Sequence, residues 1–152
     1  MYLNGNLVTN LTIPNFITDI GQAFAGCTSI ENITFHSQVK TISNNAFRGC
    51  KNIKNVVIPN SVESIGCGAF GGCDSIASLT IPFVGASAND DEHAFLAYIF
   101  GASSSGYSTN PVPSSLKTVI VTGGTKIGGF ARCTSITSIT LPSTITSIRN
   151  AA

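Results

Sequence analysis

Phe24, Phe47 and Phe70 lie 23 residues apart, and Cys27, Cys50 and Cys73 follow them at the same interval. Each pair belongs to one short string: Ala23-Phe24-Ala25-Gly26-Cys27, Ala46-Phe47-Arg48-Gly49-Cys50 and Ala69-Phe70-Gly71-Gly72-Cys73. A worn copy stands at Gly129-Phe130-Ala131-Arg132-Cys133. A fixed period in the twenties constrains a chain to a solenoid, in which every turn stacks on its neighbour because none can bury its apolar side alone. Phe24, Cys27, Phe47, Cys50, Phe70, Cys73, Phe130 and Cys133 are therefore expected to form the structural core of one domain spanning residues 1–152.

A second pattern runs beside the first: apolar, two residues, apolar, one residue, apolar. It reads Val8-Leu11-Ile13, Ile30-Ile33-Phe35, Ile53-Val56-Ile58, Ile76-Leu79-Ile81, Leu116-Val119-Val121 and Ile136-Ile139-Leu141. The last two members of each triplet alternate with a mostly small or polar residue, which is period-two strand chemistry. Six such strands, one per turn, are expected to pair in parallel as one sheet. Pro14, Pro59, Pro82 and Pro142 directly follow the strands, and a residue without an N–H helps end the ladder there. A second apolar pair follows in most units, as in Ile17/Ile20, Val39/Ile42, Val62/Ile65 and Ile145/Ile148. The Ala-Phe-x-Gly-Cys string is too short for a full helix and is expected to form a single helical or 3₁₀ turn on the return side.

The array is irregular in its middle. Ile81 to Val121 takes 40 residues where the period allows 23, so about 17 are inserted, within residues 83–115. Phe95 is read as holding the phenylalanine position of this unit. Asp90 to Phe100 is expected to be a helix, with acidic residues at its start and Phe95, Leu96, Ile99 and Phe100 on one face. Gly101 to Pro113 reads as a mobile surface loop, rich in Gly, Ser and Pro. The fifth unit is contracted, the step from Val121 to Phe130 being nine residues instead of twelve. The chain opens at the foot of a strand and stops at Ala152, which matches Ala46. The expectation is a piece of a longer array that self-associates end to end.

Charge and cysteine use narrow the function. The net charge is +1 without a basic cluster, so nucleic acid and anionic membranes lose their main attraction. No apolar run approaches the ~18 residues that a membrane-spanning helix needs. Met1-Tyr2-Leu3-Asn4-Gly5 lacks the regions of a signal peptide, so either the protein stays in the cytoplasm or a leader lies outside this chain. Four of the five cysteines share a repeat position and read as a ladder of buried free thiols, with disulfide or zinc as the alternatives. Cys67 breaks the pattern and is expected to be the most accessible thiol.

The unit Ile53-x-x-Val56-x-Ile58-Pro59-x-x-Val62-x-x-Ile65-Gly66-x-x-Ala69-Phe70-x-x-Cys73 resembles the BspA-like class of bacterial leucine-rich repeats. The resemblance covers nearly the whole chain, and the insertion resembles an irregular repeat of gut-bacterial members. It implies a right-handed solenoid, mainly β, with the main sheet on its concave side. It further implies a secreted or surface-attached protein that acts in adhesion, with a host or cell-surface protein as partner.

The residues that flank the inward strand positions should line that face: Asn32, Thr34, His36, Asn55, Val57, Ser78, Thr80, Thr118, Ile120, Ser138 and Thr140. Read as functional, they form a protein-binding surface of small polar side chains with two apolar spots. Otherwise they are a solvated face, and the chain is a structural spacer that displays another domain. Asp90-Asp91-Glu92-His93 is the one cluster with catalytic or metal-binding residue types, Asp91 and His93 being the pair an enzyme would use. Adjacent residues on a helix do not converge on one point, so the cluster reads as an acidic helix start. His36 reads as a surface histidine and Ser103-Ser104-Ser105 as loop. Gly123-Gly124-Thr125-Lys126 lacks the earlier glycine and the following Ser or Thr of a phosphate loop. No catalytic residue, metal or cofactor is expected.

Overall fold

The computed structural model describes residues 2–3, 6–103 and 110–148. The chain begins with an antiparallel pair, β1 (Tyr2–Leu3) and β2 (Asn6–Leu7). From there each turn supplies one strand to a main sheet and most supply a shorter one to a second sheet. The pairs are β3 (Asn10–Thr12) and β4 (Asp19–Ile20), β5 (Asn32–Thr34) and β6 (Thr41–Ile42), and β7 (Asn55–Val57) and β8 (Ser64–Ile65). They continue as β9 (Ser78–Ile81) alone, β10 (Thr118–Val121) with β11 (Lys126–Ile127), and β12 (Ser138–Thr140) with β13 (Ser147–Ile148).

The main sheet has six strands in the order β12-β10-β9-β7-β5-β3, all parallel. Its inward column is apolar because the triplets place a β-branched or Leu residue at every second position. Val56, Leu79 and Val119 are buried in the middle of the stack, as are Ile58, Ile81 and Val121. Each such side chain contributes about 1.5–3 kcal/mol by leaving water. The prolines act as the sequence suggests: Ile13 and Ile58 still donate to the next turn, at Thr34 and Thr80, and the proline that follows has no N–H to continue.

The short second sheet pairs β4 with β6 and β6 with β8, in parallel; β11 and β13 form its counterpart beyond the insertion. Between them the insertion stands in for the missing strand, with Ile65 N–H donating to the Ala86 carbonyl at 2.8 Å. On the return side, Gln22–Phe24 is a 3₁₀ turn and the later copies are hydrogen-bonded turns, such as Cys50 N–H to the Phe47 carbonyl. The rings of Phe24, Phe47 and Phe70 stack with centroids 5.6 and 5.4 Å apart. Phe47, Cys50, Phe70 and Cys73 are buried, whereas Phe24, Cys27, Phe130 and Cys133 are half-buried in the outer turns and pack against the core. All five cysteines are free thiols.

The insertion departs from expectation in three ways. No helix spans Asp90 to Phe100; only Leu96–Phe100 is helical, as a 3₁₀ segment. The Asp90 carboxylate accepts from the N–H groups of Glu92 and His93, each at 2.9 Å, so the acidic residues close a local turn instead of starting a helix. Second, Phe95 does not take the phenylalanine's part in the return-side ladder, which reaches the insertion from Phe70 at Ile99 and leaves it from Leu96. Phe47 N–H donates to Ala69 in the next turn, and the matching bond above the insertion runs from Leu96 to Gly129. Phe95 is extended, and its ring meets Tyr98 edge-on. Third, Ala102, Val112 and Pro113 are buried, so both ends of the Gly101–Pro113 segment join the core. Ser104, Ser105 and Tyr107 lie outside the described residues, as do 149–152. The insertion closes tightly at Gly85, whose φ is +95° and where a Cβ would collide with the His93 carbonyl oxygen.

Candidate functional site

The outer face of the main sheet is built by the register of its strands. One column of side chains runs Asn10, Asn32, Asn55, Ser78, Thr118 and Ser138, each paired with its neighbour in the adjacent strand. The second column, two residues further on, is Thr12, Thr34, Val57, Thr80, Ile120 and Thr140. Strand spacing of about 4.8 Å sets the interval within each column. Asn32 donates to the Asn10 side chain at 2.8 Å, which links the first two members of that column. Val57 is 60% exposed at the centre of the second. Neither column contains a charged residue.

The structure thus brings together ten of the eleven residues the sequence nominates for this face. His36 is set apart. It holds the place of the turn prolines, its Nδ1 accepts from the Gln38 N–H at 3.1 Å, and its Nε2 is shielded from solvent. That bond requires an unprotonated Nδ1, so His36 closes a turn. Asn10 and Thr12 extend both columns by one strand. Their signal was the triplet Val8-Leu11-Ile13, which places them on either side of an inward Leu11.

The acidic cluster pairs Asp90, not Asp91, with His93. His93 Nδ1 lies 3.0 Å from Asp90 Oδ2, whereas Asp91 reaches Lys126 at 3.8 Å. The His93 N–H, ahead of the imidazole itself, holds the Asp90 carboxyl below its ordinary range. The His93 ring rests against Tyr98 at 4.8 Å, and burial raises the Tyr98 hydroxyl. Among the described residues no three His, Cys, Asp or Glu side chains converge as a metal site. The Asp90–His93 pair pins the insertion to its own turn.

Residues 2–95 and 113–152 match the BspA type leucine rich repeat region, in six copies. The chain belongs to this family. Two solved bacterial structures share the fold of this BspA-type chain. A leucine-rich repeat protein of T. pallidum is 21% identical over 92% of this chain and 59% of its own, with a TM-score of 0.62. One from Eubacterium ventriosum is 20% identical over 99% of this chain and 44% of its own, with a TM-score of 0.64. The BspA-type chain thus spans about half the length of these relatives. No curated protein matches it.

Gly123 and Gly124 lie in the contracted fifth turn. They run beside the Pro82 carbonyl, 3.0 Å from where a Gly123 Cβ would stand.

Proposed function

We propose that this chain is a non-catalytic protein-recognition module of a secreted or cell-surface bacterial protein, and that it binds a host or cell-surface protein through the outer face of its main sheet. The carrying observation is the pair of uncharged columns with Val57 exposed between Thr34 and Thr80. Short hydroxyl and amide side chains lose less on desolvation than charges do, and covering Val57 is favourable. A large regular face of this kind suits a broad macromolecular contact better than a small substrate.

The test is a screen of immobilised host matrix proteins with the wild-type chain and a Val57→Lys variant. Saturable binding that falls at least about tenfold in the variant supports recognition through this face. Binding unchanged by the substitution moves the contact elsewhere. Absence of binding across the screen favours the spacer reading.

A further inference from the structure

A cleft of about 460 Å³ opens among the Phe–Cys turns, beneath Arg48 and Lys51. It arises where the insertion leaves the repeat path. In earlier turns the glycine N–H groups are tied to the next turn, Gly26 to the Arg48 carbonyl at 2.6 Å and Gly49 to the Gly71 carbonyl at 2.7 Å. Gly72 comes next in that ladder. The turn above it is the 3₁₀ segment, which accepts from Gly68 at Tyr98 and from Phe70 at Ile99, then swings away through Gly101 at φ 113°. Among the described residues the Gly72 N–H has no acceptor. Gly71 holds Arg48's place one turn on and brings no side chain, which leaves the cleft open.

The charged groups around this space are donors, with Asn45 Oδ1 beside Gly68 and the Phe100 carbonyl beside Gly71 as acceptors that ligand hydroxyls can meet. Neither Arg48 nor Lys51 has an ion-pair or side-chain hydrogen-bond partner among the described residues. Asp74 stands in Lys51's place one turn on but does not line the cleft. Asn44 spends its carbonyl oxygen on the Cys67 N–H at 2.8 Å, which leaves its amide N–H₂ free to donate. A guanidinium, an ammonium, a carboxamide and a main-chain N–H around one opening suit an anion such as a carboxylate, which a guanidinium meets with two parallel bonds. The volume lies in the range of small-molecule sites. Glycines and carboxamides supply much of the wall, so the ligand is hydrophilic.

We propose that this cleft binds a sugar acid by its carboxylate, with Arg48 and Lys51 as the anion-binding pair. The site is separate from the sheet face and does not depend on its role. The ligand is either a free sugar acid or the acidic end residue of a glycan.

Calorimetric titration of the whole chain with glucuronate and N-acetylneuraminate tests this, with glucose as the neutral control and a glucuronate-terminated oligosaccharide to separate the two sources. Saturable binding of the acids, weakened at least about tenfold in an Arg48→Ala, Lys51→Ala variant, is the expected result. Binding of the oligosaccharide tighter than free glucuronate identifies a glycan end; weaker binding identifies the free acid. Occupancy should also slow alkylation of Cys67, which lines the same cleft. Equal binding of glucose, retained affinity in the double variant or no saturable binding of either acid overturns the proposal. Both substituted side chains are exposed, so a circular dichroism spectrum matching wild type confirms that the variant is folded.

Discussion

The thiol of Cys73 donates to the main-chain carbonyl of Phe47, 3.1 Å away in the preceding turn, and Cys50 repeats the contact with Phe24 at 3.1 Å. These two cysteines thereby bond to a carbonyl of the phenylalanine turn below them. Burial pushes the Cys73 thiol up to about 12 and the Cys50 thiol to about 11, from an ordinary 9.0. A thiol so raised keeps its proton in the folded chain at pH values where the unfolded chain has lost it. Its contribution is present in full below pH 9 and is lost as pH rises through 11 to 12. Denaturation midpoints should therefore fall progressively above pH 9, and Cys50→Ala combined with Cys73→Ala should flatten the decline. An unchanged slope in the double variant would show that other groups set the alkaline limit.

The same burial governs reactivity. Native-state alkylation should label Cys67 first and leave Cys50 and Cys73 unmodified until the chain unfolds, because the thiolate is the nucleophile and these two are both covered and protonated. Mass spectrometry after a short exposure to iodoacetamide reads the order. Early modification of Cys50 contradicts the ladder.

Phe47→Ala should destabilise by roughly 3–5 kcal/mol in urea denaturation, the range for truncating a buried phenylalanine. Its ring is stacked on both sides by Phe24 and Phe70 and meets Phe35 edge-on at 5.9 Å, so little can collapse into the space. A loss below about 1 kcal/mol would mean that the neighbouring rings close the cavity.

What the sequence shows well is whatever repeats. The Phe–Cys string and the apolar triplets recur with side chains in register, so the six-stranded sheet, the solenoid and the outward columns can be read from spacing alone. The second sheet is not legible in this way. Its strands are two residues long, and Ile20, Ile42 and Ile65 each give a single inward position, too little for a period-two signal. The insertion misleads because Phe95, Leu96, Ile99 and Phe100 fall at helical spacing, while Asp90 bonds locally to Glu92 and His93 and leaves Phe95 extended. The cleft is invisible in the sequence for a related reason. Its glycines read as turn residues, and the space exists only because the insertion stops continuing the glycine ladder.

Gly85→Ala should cost at least about 1–3 kcal/mol. The residue adopts a left-handed φ, and the added Cβ would run into the His93 carbonyl, which already accepts from the Ala86 N–H. The Asp90–His93 turn would have to move away from the core to admit it. Thermal denaturation measures the loss, and a cost under about 0.5 kcal/mol would show that the turn yields freely.

The last described turn should associate with another molecule. Ile139, Leu141 and Ile148 are 45%, 37% and 68% exposed, whereas their register equivalents one turn earlier, Val119, Val121 and Ile127, are buried. Among the described residues the strand Ser138–Thr140 is also one edge of the main sheet, with its outer main-chain groups paired to no further strand. An apolar face beside an unpaired edge is the surface that every inner turn covers with its successor. Contact between like ends closes as a two-fold dimer, while contact between opposite ends runs on into filaments. The closed dimer is the expected form, because open growth would limit solubility. Light scattering over a concentration series should show the apparent mass rising to twice that of the monomer, and Ile139→Lys should shift the midpoint to higher concentration by about tenfold. A monomer at every concentration would mean that this face is covered within the chain itself.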